Sequence, residues 1–185
     1  MLRGIFELGT GRTSGFARFR VSPRDFRISV WVLLAVPILL SVILAGRDGV
    51  TSGLAILAAV LCALLTPPVV SHALAQLWQR EEYWLRFAIC FNWARLALTV
   101  VYAVLLMIAS LLIAGGQPAR GVAGIIQPVM VGYTLWLDWF LVRHGLQVSA
   151  WRAVFGVLAM NVATFVTVFG PLLITGALTG ASRFD

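Results

Sequence analysis

The chain has 185 residues, of which 61% are hydrophobic and 11% are charged, and its mean hydropathy is +0.95. This composition excludes an ordinary soluble domain, whose apolar share is about 45–50%. The formal charge is +7 and all fourteen cations are arginine, which excludes chemistry that needs a lysine, such as Schiff-base catalysis or a phosphate-binding P-loop.

The first 27 residues form a basic N-terminal segment, in which six arginines are mixed with leucine, isoleucine and phenylalanine. Basic residues attract an anionic membrane surface, and apolar side chains can enter its boundary layer. We therefore expect residues 1–27 to be a cytoplasmic segment that lies at the membrane interface, with a disordered tail as the alternative.

Five long apolar runs follow this segment, and each approaches or exceeds the length of about 20 residues needed to cross a hydrocarbon core of about 30 Å. They predict an all-α, polytopic integral membrane protein with a five-helix transmembrane domain over residues 28–178. The predicted spans cover residues 28–46, 51–77, 83–114, 121–142 and 150–178 approximately, and residues 179–185 form a short outer tail. Pro67 and Pro68 predict a kink or break in the second span, because proline lacks a backbone donor.

Arginine and tryptophan indicate the orientation of the spans. Ten of the fourteen arginines fall on one side of the predicted layout, where the positive-inside rule places the cytoplasm. The N-terminus is then cytoplasmic, the C-terminus is on the outer side, and the predicted location is a bacterial inner membrane. Tryptophans near these arginines are predicted interfacial anchors: Trp78, Trp84, Trp136, Trp139 and Trp151. No surface that combines aromatic and basic residues indicates nucleic-acid binding.

An intramembrane polar cluster is the main candidate site. Residues from four spans are predicted at a similar depth in the cytoplasmic half of the membrane: His72, Asn92, Arg95, Asp138 and Asn161. A charge at this depth needs a partner or access to the headgroups, so we expect an ion pair between Arg95 and Asp138. Polar residues at helical spacing extend the cluster, either as a hydrophilic cavity or proton path or, as we favour, as interhelical hydrogen bonds.

Catalysis and metal binding are not predicted. The motifs HExxH, CxxC, GxSxG and GxGxxG are all absent, and no cofactor is expected. Haem ligation by His72 or His144 is an alternative, but no second ligand pattern accompanies it. A lipid- or quinone-handling enzyme is a further alternative, although one carboxylate within the spans supplies no pair of acid and base. Cys62 and Cys90 are predicted at different depths, too far apart to form a disulfide.

The layout resembles that of bacterial relatives of the Yip-type (Ypt-interacting) membrane protein family. The resemblance covers roughly residues 28–178 and is carried by Leu74-Ala75-Gln76-Leu77-Trp78 and by Phe87-Ala88-Ile89-Cys90-Phe91-Asn92-Trp93-Ala94. The acidic Asp-Leu-Tyr-Gly signature of eukaryotic members is absent before the first span, and the pair Gly132-Tyr133 lies in the fourth span. The resemblance implies a non-enzymatic protein that acts by association with membranes or partner proteins.

We therefore expect a non-catalytic structural or accessory subunit of a larger membrane complex, which acts through helix-mediated association with that complex or with lipid. The expected partners are membrane lipids and other membrane-protein subunits or further copies of the chain. The alternative is a small oligomeric transporter or channel, in which the layer around Arg95 and Asp138 serves an anion or a proton.

Overall fold

The computed structural model describes residues 2–116 and 118–181; the side chains of residues 36, 37, 40, 44, 45, 47, 48, 52, 119, 120, 123 and 171–181 are outside the description. These residues form helices and connecting turns without a strand. The helices are α1 (Leu2–Gly9), a 3₁₀ helix (Thr13–Arg18), α2 (Pro23–Asp48), α3 (Val50–Leu77), α4 (Glu81–Ala114), α5 (Ala119–Gly145) and α6 (Ala150–Ala181).

Within the described part of the chain, four helical stretches are long and apolar enough to cross a membrane, which agrees with the predicted all-α membrane protein. They are Gly53–Leu77, Glu81–Ala114, Gly124–Gly145 and Ala150–Gly170. The first predicted span, residues 28–46, lies within α2, where several side chains are outside the description. The number of five spans and the orientation of the termini stay predictions.

The helix boundaries differ from the predicted spans because turn chemistry and length extend the helices. Helix α2 begins at Pro23, five residues before the predicted span: the Ser22 hydroxyl accepts a hydrogen bond from the backbone nitrogen of Asp25 at 3.1 Å, and proline suits the first helical position. Helix α4 has 34 residues and is about 51 Å long, well beyond a hydrocarbon core. Helix α6 continues to Ala181, and the rest of the predicted tail, residues 182–185, lies outside the described residues.

The prolines of the second predicted span do not end the helix. Pro67 and Pro68 lie inside α3, which stays continuous from Val50 to Leu77, and Pro128 lies inside α5 in the same way. Proline is tolerated in membrane helices where neighbouring groups satisfy the backbone. The predicted break is therefore absent from α3.

The five long helices pack in a closed order. Helix α2 contacts α3 and α4, α3 contacts α6, α6 contacts α5, and α5 contacts α4; α3 and α4 also touch each other. The core lies at the end of the bundle where α2, α4 and α6 begin and α3 and α5 end, which we call the arginine-rich end. Phe87, Ile89, Leu141 and Leu146 are each 1% exposed there.

Among the side chains that the structure describes, those of the opposite half of the bundle bury little apolar surface. Leu54, Leu111, Ile125, Val129 and Val166 lie on four different helices and are all between 58 and 69% exposed. Exposed apolar side chains of this kind suit a hydrocarbon surrounding, which needs no internal burial to accommodate them. The bundle thus has a packed end and an end that presents apolar faces outward.

The N-terminal segment folds against the arginine-rich end. Leu8, Phe16 and Phe19 are at most 8% exposed and belong to the core, and the Tyr133 hydroxyl of α5 donates to the carbonyl of Gly9 at 2.7 Å. These contacts hold the segment against the bundle, and its position at the membrane interface stays a prediction. Residues 23–27, which were predicted to belong to the segment, are the first turn of α2.

Candidate functional site

An ion pair joins the middle of α4 to the last third of α5. Arg95 Nη2 lies 2.6 Å from Asp138 Oδ2, so the ion pair predicted from the sequence is present. The Asp138 side chain is 2% exposed and that of Arg95 is 29% exposed. The guanidinium carbon of Arg95 also lies 5.0 Å from the centre of the Phe91 ring, one turn back on α4, a distance suited to a cation–π contact.

The ion pair is made by one end of each group. Arg95 Nε and Asp138 Oδ1 are buried and have no hydrogen-bond partner among the described residues. A bidentate pair between arginine and a carboxylate would use two parallel hydrogen bonds and would satisfy more of these atoms. The charges of the two groups cancel, whereas part of their hydrogen-bonding capacity stays unused.

A polar groove opens beside Arg95, between α4, α5 and α6. It has a volume of about 340 Å³, and its polar border consists of Arg95, Thr99, Tyr102, Gln127, Thr134 and Asn161. Gln127 Nε2 donates to the Tyr102 hydroxyl at 3.3 Å, so the polar stripes of α4 and α5 meet as their spacing predicts. Thr99, Gln127 and Asn161 are exposed. The groove therefore offers hydroxyl and amide groups to whatever surrounds the helices.

A smaller cavity lies on the other side of Arg95, between α2, α3, α4 and α6. Its volume is about 210 Å³, and its border includes Leu33, Pro67, Arg95, Asn161 and Thr164. Arg95 and Asn161 thus border both this inner cavity and the polar groove. The Asn161 amide nitrogen donates to the Val157 carbonyl of its own helix at 2.8 Å.

Two of the five predicted cluster residues lie elsewhere. Asn92 is 1% exposed, and its amide nitrogen donates to the Ser29 hydroxyl of α2 at 3.0 Å. The His72 ring packs edge-on against Trp84, with ring centres 4.6 Å apart. The structure thus brings Arg95, Asp138 and Asn161 to one region, and gives Asn92 and His72 separate structural contacts.

The predicted tryptophan anchors differ in exposure. Trp151 is 83% exposed and Trp136 is 41% exposed, while Trp78, Trp84 and Trp139 are partly buried. Trp84 Nε1 donates to the Ser71 hydroxyl at 3.2 Å, and Trp139 Nε1 donates to the Ala150 carbonyl at 3.3 Å. Two of the five, Trp84 and Trp139, therefore join helices to each other, and the role of the five as membrane anchors stays a prediction.

An ionic cluster in the N-terminal segment was not found from the sequence. Arg18 Nε lies 2.8 Å from both carboxylate oxygens of Glu7, Arg18 Nη2 lies 2.7 Å from one of them, and the Ser14 hydroxyl donates to the other at 3.0 Å. The hydrogen bonds from Arg18 lower the pKa of Glu7 to about 2, although burial alone would raise it. The sequence feature that could have indicated this cluster is that Glu7 is the sole acid among the first 24 residues.

The remaining chemistry is sparse. Cys62 and Cys90 are free thiols, in agreement with the prediction that they do not form a disulfide. No group of three or more His, Cys, Asp or Glu residues that could hold a metal ion occurs within the described part of the chain.

Comparison with known proteins adds no relative. No protein family, no curated protein and no solved structure matches the chain. The resemblance to the Yip-type family stays a prediction.

Proposed function

We propose that the protein is a non-catalytic, five-span protein of a bacterial inner membrane that acts as an accessory subunit of a larger membrane complex. In this proposal the N-terminus is cytoplasmic, and the polar groove binds a transmembrane helix of the partner. The exposure of Thr99, Gln127 and Asn161 within otherwise apolar helices is the observation that carries it. The association implied by the Yip-type resemblance belongs to the same class of function.

Polar groups that face lipid are costly unless they find hydrogen-bond partners. Hydroxyl and amide groups in the hydrocarbon region have no water to bind, and transmembrane helices satisfy them by bonding to other helices. The groove carries little net charge, because Asp138 neutralises Arg95 at 2.6 Å. A partner helix with neutral polar side chains therefore complements the groove better than a free ion does.

Site-specific photo-crosslinking tests this proposal. A photoreactive residue is placed at Gln127 in the groove or, as a control, at Ser110, which is exposed on α4 and bonds only to the Met107 carbonyl of its own helix. We expect crosslinking in native membranes to a different membrane protein in a defined ratio from position 127, and to lipid alone from position 110. Lipid adducts alone from both positions would contradict the proposal.

The alternative of an oligomeric transporter or channel for an anion or a proton has one specific observation in its favour. Arg95 and Asn161 border both the groove and the inner cavity, so the two spaces adjoin beside the ion pair. Crosslinking from position 127 to a second copy of the chain, together with flux through liposomes that Asp138→Asn abolishes, would favour this alternative over the accessory subunit.

A further inference from the structure

Two adjoining cavities lie where the N-terminal segment enters α2. One has a volume of about 570 Å³ and is bordered by Arg20, Val21, Ser22, Arg24, Asp25 and Ile28. The other has a volume of about 390 Å³ and is bordered by Arg18, Phe19, Arg20, Asp25, Ile28, Ile89 and Trp93. Arg20, Asp25 and Ile28 border both, so the two cavities adjoin, and we call them together the cleft.

The cleft changes from basic to apolar along its length. Arg20 and Arg24 are exposed, and neither takes part in an ion pair among the described residues. Arg18 is occupied by Glu7, and the Asp25 carboxylate accepts a hydrogen bond from the Ser22 hydroxyl at 2.6 Å. The open end therefore carries two available guanidinium groups, which bind phosphate oxygens through several hydrogen bonds.

The cavity of about 390 Å³ has an apolar side formed by Phe19, Ile28, Ile89 and Trp93, while Arg18, Arg20 and Asp25 border it as well. Phe19 and Ile89 are 8% and 1% exposed, Ile28 is 43% exposed, and Trp93 is partly buried. A phosphate ion gains no favourable contact from apolar side chains. A phospholipid does, because its charged headgroup is joined to acyl chains. The combination of exposed arginines and neighbouring apolar side chains therefore fits a whole lipid better than a soluble anion.

The depth of the cleft agrees with this occupant. The hydrogen bond of 3.0 Å between Asn92 and Ser29 fixes α4 level with α2, so Trp93 lies about level with the exposed Trp31. Tryptophans favour the boundary between headgroups and hydrocarbon. Arg24 precedes Trp31 by seven residues on α2, or about 10 Å along the axis, which is close to the headgroup layer.

We propose that this cleft is a binding site for one anionic phospholipid, with the headgroup phosphate held by Arg20 and Arg24 and the glycerol and first carbons of an acyl chain lying against Ile28, Ile89 and Trp93. The site requires the helices to lie in a membrane but does not depend on the partner proposed for the groove. A failure of one proposal leaves the other intact.

The test is a lipid titration of the delipidated full-length protein in detergent, followed by native mass spectrometry. Phosphatidylglycerol is compared with phosphatidylcholine that has the same acyl chains, and the deacylated headgroup glycerophosphoglycerol and inorganic phosphate serve as soluble competitors. We expect phosphatidylglycerol to bind about tenfold or more tightly than phosphatidylcholine, and the soluble anions to compete poorly, because each arginine favours an anionic surface and the acyl chain adds apolar contact.

Three variants locate the site. Arg20→Gln combined with Arg24→Gln should weaken phosphatidylglycerol binding by about tenfold to thirtyfold, because two arginine contacts are lost. The control pair Arg12→Gln and Arg152→Gln removes the same charge from exposed positions outside the cleft and should leave the affinity nearly unchanged. Ile28→Trp, which fills the cleft while keeping both arginines, should weaken binding of the lipid but not of inorganic phosphate.

Three outcomes would overturn the proposal. Equal affinity for the two lipids would show that the site does not select a headgroup with net negative charge, and equal losses in both arginine pairs would reduce the effect to overall charge. Full competition by glycerophosphoglycerol, with no effect of Ile28→Trp, would assign the cleft to a soluble phosphate compound instead of a lipid. A thermal melt of each variant in the same detergent verifies that the fold is retained.

Discussion

Arg95 and Asp138 are joined by a single close contact of 2.6 Å, which ties α4 to α5 and leaves Arg95 Nε and Asp138 Oδ1 without partners among the described residues. The attraction between the two groups contributes less to stability than the penalty that arises when one of the charges is left without its partner. Removing one partner strands a charge in a region where solvation is expensive.

The first prediction compares single and double replacement of this pair. Asp138→Asn should lower the free energy of unfolding by about 2–3 kcal/mol, below the full cost for a buried pair because the Arg95 side chain is 29% exposed. Arg95→Leu combined with Asp138→Leu should cost less than Asp138→Asn alone, because no unpaired charge remains. Denaturant titration in detergent micelles measures both, and purely additive losses in a double-mutant cycle would show that the groups are not coupled.

The second prediction concerns the hydrogen bond between α2 and α4. Ser29→Ala leaves the buried Asn92 amide nitrogen without its acceptor and should cost about 1 kcal/mol. Ser41→Ala is a matched control on the same helix: Ser41 is 2% exposed, as is Ser29, but its hydroxyl donates only to the Ile38 carbonyl of its own helix. The free energy of unfolding of each variant is compared, and equal losses would mean that the bond to Asn92 contributes nothing.

The third prediction concerns the titration of Glu7. The pKa of Glu7 falls from 4.5 to about 2 in the folded state because of the hydrogen bonds from Arg18. The stabilisation by the charged carboxylate is therefore complete above pH 4.5 and is lost as the pH falls towards 2. In protein labelled with ¹³C-glutamate, the carboxyl signal that disappears in Glu7→Gln should titrate near pH 2.

Replacement of Arg18 tests the cause of that shift. In Arg18→Gln the guanidinium is gone, while the Ser14 hydroxyl can still donate to Glu7. The midpoint of the Glu7 signal should then move up, towards the ordinary value of 4.5. A midpoint that stays near pH 2 would show that Arg18 is not the main cause.

The fourth prediction concerns the contact between α1 and the 3₁₀ helix. A Cβ atom at Gly15 would lie 2.7 Å from Leu8 Cγ and 2.9 Å from the carbonyl oxygen of Gly4, so Gly15→Ala must push the two elements apart. Trypsin, which cleaves after arginine, should then cut residues 2–22 faster. Gly132→Ala on α5 meets no atom within 4 Å, should leave the cleavage rate unchanged, and can stabilise the helix by up to about 1 kcal/mol.

Several features of the molecule were predictable from the sequence because strong local signals encode them. Long apolar runs and clustered arginines predicted the membrane helices and the basic end of the layout, and the lone acid within the spans predicted the partner of Arg95. In each case the cost of a polar or charged group in hydrocarbon leaves few arrangements open.

Other features depend on rotation about the helices and on distant contacts. Asn92 and Arg95 are three residues apart on α4, which separates them by about 60° around the axis, enough for one to bond to α2 and the other to α5. The docking of the N-terminal segment depends on Tyr133, which is 124 residues from Gly9 in the chain. Neither the choice of partner by Asn92 and Arg95 nor the contact between Tyr133 and Gly9 produces a pattern in residues that are close in the sequence.

The 124 residues between Gly9 and Tyr133 impose a delay between the synthesis of these two residues. At about 5–20 residues per second, a ribosome reaches Tyr133 about 6–25 seconds after it has made Gly9. The ring centre of Phe16 lies 6.2 Å from that of Phe140, which is made after the same delay. The earliest-made part of the described chain is thus among the last to reach its final position, and it stays open to cellular proteases and chaperones until the fourth predicted span, residues 121–142, has been translated.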